Sequence, residues 1–361
     1  MLLALCLVAT PSAQACTIPV FRYALDRWSA DHFSLDVPES LRTKLDSILG
    51  PLQNHRSINI RINPSLGEEA GGKCRLVAPA NREAPVWSGE LTEANLKLLT
   101  ESPGRTEILK RIVAGESGVW VMVESGDKTK DDTAAEKLMK RLKYLNSVAT
   151  IPPQDPFDPE SQLGPGPKLR VEFSLLRLKS SDPAELPFLR MLAGPKSAEL
   201  VGGKESYVAP VFGRGRVLGV WKTSEVLDED VDDLCLFLLG ACSCQVKQQN
   251  PGWDLLMAAD WDAELMKAQE RMEAEKDPEA LPKLEEITVP QPEVVKISGK
   301  KSPATNSPTS ETNARANIAA APETAPAANA APVVSSRKWM IIGSVVLLIL
   351  GGLFMWPTRP N

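Results

Sequence analysis

Apolar and polar positions alternate with regular periods between residues 16 and 262. Residues 57–62 alternate as a half-buried strand does, and residues 118–123 form a continuous apolar run that is typical of a strand buried on both faces. Residues 130–145 follow the period of an amphipathic helix. Further helices are predicted over 19–28, 39–49, 103–115, 182–192 and 227–239, and further strands over 32–37, 169–178, 207–212 and 216–221. The pattern predicts the α/β class, with a mixed sheet and flanking helices.

Segments rich in proline divide the chain. A Pro/Gly-rich connector over 151–168 separates a first α/β half, residues 16–150, from a second half, residues 169–262. A polar helix is predicted over 263–280. Residues 281–336 are rich in alanine and proline, and a segment of this composition buries too little apolar surface to fold, so we expect a disordered linker there.

The two ends of the chain indicate export and a membrane tether. Residues 339–356 carry no charge, have tryptophan at each end, and are long enough to span roughly 27 Å as a helix. We therefore expect a C-terminal transmembrane helix followed by a short tail, residues 357–361. Residues 1–15 are typical of a signal peptide and end in Ala13-Gln14-Ala15, a cleavage pattern. This predicts a single-pass type I membrane protein whose globular region lies outside the cytoplasm.

Charge and motifs exclude several classes of function. The net charge is −5 and basic residues are mixed with acidic ones, so nucleic acid is not expected as a partner. Gly213-Arg-Gly-Arg-Val-Leu-Gly219 leads into a predicted strand, which favours a hairpin turn over a phosphate-binding loop. The only histidines, His32 and His55, are not near the cysteine pair in sequence, so we expect no metal and no cofactor.

Cysteines are the candidate catalytic residues. Cleavage after residue 15 would make Cys16 the first residue of the mature chain, either lipidated or as a thiol. Cys242-x-Cys244 follows a predicted helix and is open to three interpretations: structural bridging, redox exchange, or half of a soft-metal site. Cys235 lies in an apolar helical run and is expected to be an inert core thiol.

Two features are similar to a thioredoxin-like fold. Cys16-Thr-Ile-Pro19 opens a predicted helix, and Tyr207-Val-Ala-Pro210 is followed by two strands and a helix. The resemblance implies that Pro210 is cis and faces an active cysteine. The second cysteine of a C-x-x-C motif is absent, and removal of the predicted signal peptide would leave no residues before Cys16 to form the usual preceding strand.

Four motifs carry a second resemblance, to a group of bacterial envelope proteins without an established activity. They are Cys16-Thr-Ile-Pro-Val-Phe-Arg-Tyr-Ala-Leu-Asp-Arg-Trp28, Pro85-Val-Trp-Ser-Gly89, Pro210-Val-Phe-Gly-Arg-Gly-Arg216 and Gly240-Ala-Cys-Ser-Cys-Gln-Val-Lys247. The resemblance covers about residues 16 to 262 and implies an exported protein, without a reaction or site residues.

The sequence therefore predicts a membrane-tethered, extracytoplasmic binding or assembly module. Its motifs favour a non-enzymatic role over an enzymatic one. Its expected partners are the membrane itself and an envelope protein. The alternative is an envelope thiol-disulfide oxidoreductase that uses Cys242 and Cys244, with or without Cys16.

Overall fold

The computed structural model describes residues 17–54, 57–65, 72–80, 84–154, 157–242 and 246–276, all of which belong to one compact unit. The helices of this part of the chain are α1 Val20–Arg27, α2 Glu39–Arg42, α3 Asp46–Asn54, α4 Glu93–Thr100, α5 Pro103–Val113, α6 Lys128–Val148, α7 Leu186–Ala193, α8 Ser197–Leu200, α9 Asp228–Leu239 and α10 Trp261–Lys276. The strands are β1 Phe33–Pro38, β2 Ile60–Ser65, β3 Cys74–Val77, β4 Trp87–Gly89, β5 Gly118–Glu124, β6 Phe173–Lys179, β7 Tyr207–Phe212, β8 Arg216–Val217, β9 Trp221–Lys222 and β10 Trp253–Asp254.

Local capping signals place several helix ends. The Ser102 side chain accepts a hydrogen bond from the backbone N–H of Arg105 at the start of α5, and Pro103 occupies the first helical position. Gly115, with a φ of 103°, ends the turn that follows α5. Asp127 accepts from the backbone N–H of Lys130 and caps α6 in the same way. These helix starts agree with the sequence pattern.

The larger sheet has the order β10-β8-β7-β5-β6, with β9 also paired to β7. Its interior strand β5 is parallel to β6 and antiparallel to β7, so the sheet is mixed. Helices flank it: Trp120 of β5 packs with Leu138 of α6 and Leu238 of α9, while Val121 faces a second cluster that contains Phe188 of α7. The predicted α/β class with a mixed sheet and flanking helices is confirmed. The connector 151–168 lies between β5 and β6, so residues before and after it build one sheet.

The smaller sheet has the order β2-β1-β3-β4, with β1 parallel to β2 and antiparallel to β3. The β1 residues Phe33, Leu35 and Val37 are buried in the same core cluster as Val119 and Val121 of β5. Successive side chains on a strand point to opposite faces. The intervening positions of β1 therefore face away from this core, which leaves the outer face of the smaller sheet for other contacts.

The peptide bond before Pro210 is trans, as are all peptide bonds of the described residues, which corrects the cis expectation. Pro210 lies inside β7, opposite Trp120 of β5, and extended trans geometry is what a continuous strand requires. The carbonyl of Pro210 accepts from the N–H of Leu218, so its missing N–H would point to the same side. On that side, β7 pairs with two short strands, β8 and β9, and not with one continuous strand. The interruption lies opposite Pro210, because proline has no backbone N–H to donate to the neighbouring strand.

No helix in the described part of the chain is long and apolar enough to cross a membrane. The predicted signal peptide 1–15, the linker 281–336, the transmembrane helix 339–356 and the tail 357–361 lie outside the described residues. The polar helix predicted over 263–280 is present as α10, which begins at Trp261 and is described as far as Lys276.

Candidate binding site

An open groove of about 1100 Å³ lies over the outer face of the smaller sheet. We call it the sheet groove. Strands β1, β2 and β3 supply its floor, and the segments 27–32 and 246–248 supply its rim. The polar floor residues include Ser34, Asp36, Arg61, Asn63 and Arg75.

Strand register explains why these five side chains share one face. Ser34 lies opposite Arg61 of β2, and Asp36 lies opposite both Asn63 of β2 and Arg75 of β3. Directly opposed residues in neighbouring strands point to the same side of the sheet. Because the alternate β1 residues are buried in the core, the polar set faces the groove.

Asp36 is the centre of the polar contacts on this face. Its Oδ1 accepts a hydrogen bond from Ser34 Oγ at 2.6 Å, and Asn63 Nδ2 lies 3.5 Å from the same oxygen. Its Oδ2 lies 3.9 Å from Arg75 Nη2, which is an ion pair without a hydrogen bond. The carboxylate is therefore held by Ser34 and leaves most donors of Arg75 unused.

Both arginines of the floor have unused binding capacity. The Nε atom of Arg75 is buried and has no hydrogen-bond partner among the described residues. Arg61 is exposed and makes no ion pair with any residue in the described ranges. A guanidinium presents a planar set of N–H donors that matches a carboxylate or a phosphate. The groove thus offers cationic donors to a ligand.

The sheet groove is positive, although the chain as a whole carries a net charge of −5. Its cationic lining residues are Arg27, Arg61, Arg75 and Lys247, against the acidic residues Asp31 and Asp36. The positive field acts on the rim residue His32. Burial lowers the pKa of His32, and the nearby charge of Arg61 lowers it further. The neutral imidazole is therefore favoured at the rim.

A buried ionic cluster fixes one rim of the groove. Lys247 Nζ donates to Asp254 and to the carbonyl of Ser29, and it pairs with Asp31 at 3.0 Å. Asp254 also accepts from Arg216 and from the backbone N–H of Asp31. The cluster joins the segment after α1 to β8 and β10. It keeps Lys247 in place and uses its charge, so Lys247 is a structural part of the rim.

The candidate cysteines within the described ranges are buried. Cys242 is only 2 % exposed and follows α9, where its backbone N–H donates to the carbonyl of Ile18. Cys235 lies in α9, and burial raises the pKa of its thiol to about 12, as expected for an inert core thiol. Cys74 of β3 is buried as well, and burial raises its pKa. Cys16 and Cys244 lie outside the described residues.

Within the described ranges, no cluster of three or more His, Cys, Asp or Glu side chains could hold a metal ion. His32 lies at the rim of the sheet groove, and His55 lies outside the described residues. Pro210 lies within β7 and does not line the groove.

No family model, curated protein or solved structure matches this chain significantly.

Sequence reasoning did not identify the floor of the sheet groove. A partial signal was present, because the alternation over 32–37 and 57–62 places Ser34, Asp36 and Arg61 on the polar side of their strands. The pairing of β1 with both β2 and β3 could not be read from that alternation. Without it, the polar positions had no common face.

Proposed function

We propose that this protein is a membrane-tethered, extracytoplasmic binding or assembly module whose recognition surface is the sheet groove. The observation that carries the proposal is the floor of the groove. A polar sheet face presents two arginines with unused donors, while the opposite face of the same sheet is packed into the core. Clefts with a few convergent polar groups are where proteins bind ligands.

The larger sheet supports a thioredoxin-like arrangement as part of this proposal. It contains a parallel β5–α6–β6 unit, followed by antiparallel β7 and β8 and then by α9. The helix α6 follows Ser125, Gly126 and Asp127, with no cysteine at its start. An activated thiol at a helix N-terminus is the usual device for thiol exchange. Its absence from this turn favours binding over redox catalysis.

The membrane tether rests on the composition of residues 1–15 and 339–356. Protease added to the outside of intact spheroplasts should digest the globular region, and it should leave a short membrane-bound fragment that contains residues 339–361. A globular region that stays protected until the cells are lysed would contradict this topology.

Site-specific photo-crosslinking tests the groove as a binding surface. We would place p-benzoylphenylalanine at Asn63, an exposed floor residue, and at Lys140, an exposed residue of α6, as the matched control. The full-length protein should form a defined adduct from position 63 in cells and not from position 140. The binding role would be rejected if position 63 gave no adduct, or if both positions gave the same one.

The alternative function, thiol-disulfide exchange, has one observation in its favour. Pro19 and Ala241 form an antiparallel bridge, so the segment that follows Cys16 lies beside the segment that contains Cys242. The burial of Cys242 argues against ready access to substrate. Disulfide mapping by mass spectrometry with and without reductant separates the two roles. A redox role requires that Cys242 and Cys244 pass from the disulfide to the thiol form under mild reduction. Disulfide bridges that resist mild reduction would rule out the redox role.

A further inference from the structure

We infer that the sheet groove binds an acidic segment of a partner polypeptide and that Arg61 and Arg75 pair with its carboxylates. This inference rests on the proposed binding function and names the chemistry of the partner. It concerns the floor of the groove, where the two arginines stand on strands β2 and β3, on either side of β1.

Arg75 has donors that no other residue uses among the described residues. Its Nε is buried without a partner among the described residues, and its Nη2 approaches Asp36 only to 3.9 Å. The Arg75 side chain is 34 % exposed although its Nε is buried, so a carboxylate in the groove would meet the terminal Nη donors and form a charge-assisted pair with them. The free groove therefore contains a donor set that a carboxylate would complete.

The charge of the groove also favours an acidic ligand. Four cationic side chains and two acidic ones line the groove, in a chain whose net charge is −5. Two of the cations are already engaged, since Lys247 pairs with Asp254 and Asp31, and Arg27 donates to the carbonyl of Gln162. Arg61 and Arg75 remain for a ligand. Such complementarity steers a negatively charged partner to this face and away from the rest of the surface.

The polar floor favours a peptide over a phosphate ligand. It offers acceptors as well as donors, because Ser34 and Asp36 stand on β1 between the two arginine-bearing strands, and Asn63 stands on β2 with Arg61. Peptide groups need both donors and acceptors, and their backbone N–H groups can donate to the Asp36 carboxylate, whereas an ionised phosphate group presents oxygen acceptors and has no such donor. The mixed floor therefore favours a polypeptide with acidic side chains.

The open shape of the groove suits an extended chain. Small-molecule sites are enclosed clefts of roughly 300–1,000 Å³ that bury most of their ligand. The sheet groove, at about 1100 Å³, is open along the sheet face between the segments 27–32 and 246–248. An extended chain can lie along such a surface and contact both arginines at once.

Fluorescence anisotropy tests the inference on the full-length protein in neutral detergent micelles. The probe is a short fluorescein-labelled peptide of alternating glutamate and serine, and the matched probe has glutamine in place of glutamate. We expect saturable binding of the glutamate peptide that is weakened at least about tenfold in Arg61→Gln, and further in the Arg61→Gln/Arg75→Gln double variant. High salt should weaken it as well.

Controls separate the groove from charge in general. Lys140→Gln removes one exposed positive charge from α6 and should bind the probe as the native protein does. Arg61→Gln alone suffices for the test, because Arg61 is exposed and its replacement should leave the fold intact, even if Arg75→Gln disturbs the smaller sheet. Equal losses in Lys140→Gln and Arg61→Gln would overturn the inference.

Inorganic phosphate and short-chain phosphatidylglycerol are added as competitors. Displacement of the peptide by either one at lower concentration than a free glutamate peptide would overturn the inference in favour of a phosphate ligand. Absence of peptide binding, together with a persistent photo-adduct from position 63, would reject the acidic partner and leave the binding function standing. Absence of both would reject the inference and the proposed function together.

Discussion

Arg216 donates a hydrogen bond from Nη1 to Oδ1 of Asp254 across 3.0 Å, with the two side chains only 6 % and 3 % exposed. The same guanidinium donates to the carbonyls of Pro251, Asn250 and Gly252. Asp254 in turn accepts from Lys247. A buried charge is tolerated when its partners satisfy it. This pair therefore ties β8 to β10 and supports the rim of the sheet groove.

Asp254→Asn should destabilise the protein strongly. The change removes the one carboxylate that both Arg216 and Lys247 contact in the buried cluster, and it leaves an excess of buried positive charge. We expect a loss of about 3–5 kcal/mol in the free energy of unfolding, measured by urea denaturation. Asp262→Asn is the control, because the Asp262 carboxylate pairs with Arg214 at an 81 % exposed position. The free energy of unfolding of Asp262→Asn should fall by less than about 1 kcal/mol. Equal losses of stability in the two variants would contradict the structural role of the cluster.

Asn59→Ala should also destabilise the fold. The Asn59 amide donates to the carbonyls of Asp31 and Leu255, and its oxygen accepts from the N–H of Met257. It thereby joins three separate segments beside the groove. With about 1 kcal/mol for each hydrogen bond, the expected loss is about 2–3 kcal/mol in the same assay.

The control for this change is Asn63→Ala. Asn63 is exposed and its amide has a single distant contact, at 3.5 Å from Asp36, so the expected change is within about 0.5 kcal/mol. If Asn59→Ala were as mild as Asn63→Ala, the three hydrogen bonds would not be contributing to stability.

Gly252→Ala should be poorly tolerated. Gly252 has a φ of 102°, and a Cβ added to it would lie 2.0 Å from the carbonyl oxygen of Val217 in the paired strand. The β8–β10 pairing would have to shift, at an expected cost of about 3 kcal/mol or more. Gly202→Ala is the matched control: its φ is 84°, but nothing lies within 4 Å of the added Cβ. Its cost should be about 1–2 kcal/mol from the backbone conformation alone. A smaller loss for Gly252→Ala than for Gly202→Ala in thermal unfolding would disprove the close approach.

The Cys235 thiol should make stability fall at alkaline pH. Burial raises its pKa from 9.0 to about 12 in the folded chain. Between these two values the unfolded chain releases the proton and the folded chain keeps it, so unfolding becomes more favourable as the pH rises. The contribution is present below the unfolded pKa and is lost at roughly 1.4 kcal/mol per pH unit over that window.

Cys235→Ala removes this titration, and the difference in stability between the native protein and the variant should therefore shrink as the pH rises from neutral to alkaline. Iodoacetamide should modify Cys235 only in denaturant, as read by peptide mass spectrometry. Rapid modification of the folded protein would show that the thiol is accessible.

Elements with a strong local signal were predictable from sequence. The apolar run 118–123 is the interior strand β5, and Ser102-Pro103 begins α5. The predicted strand 216–221 was wrong as a single element, because it pairs only at β8 and β9. The interruption is due to Pro210 on the neighbouring strand β7. The sequence pattern of residues 216–221 contains no information on which strand pairs with this segment.

The candidate site shows the same division. The alternation of the sequence indicated the polar positions in β1 and β2. Arg61 and Arg75 form part of one site only because β1 lies between their strands. Cys242 drew attention in the sequence through its spacing from Cys244, and its burial became known only from the fold.

Sequence alone determined the α/β class, the starts of the capped helices, and the expectation of a tethered, exported chain, because period, capping residues and long apolar runs act over short distances. Only the tertiary structure decided which strands are neighbours. That pairing buries Phe33, Leu35 and Val37 and turns Ser34 and Asp36 outward beside Arg61 and Arg75. The groove exists because side chains from distant parts of the chain share one face, and that depends on long-range packing of the core.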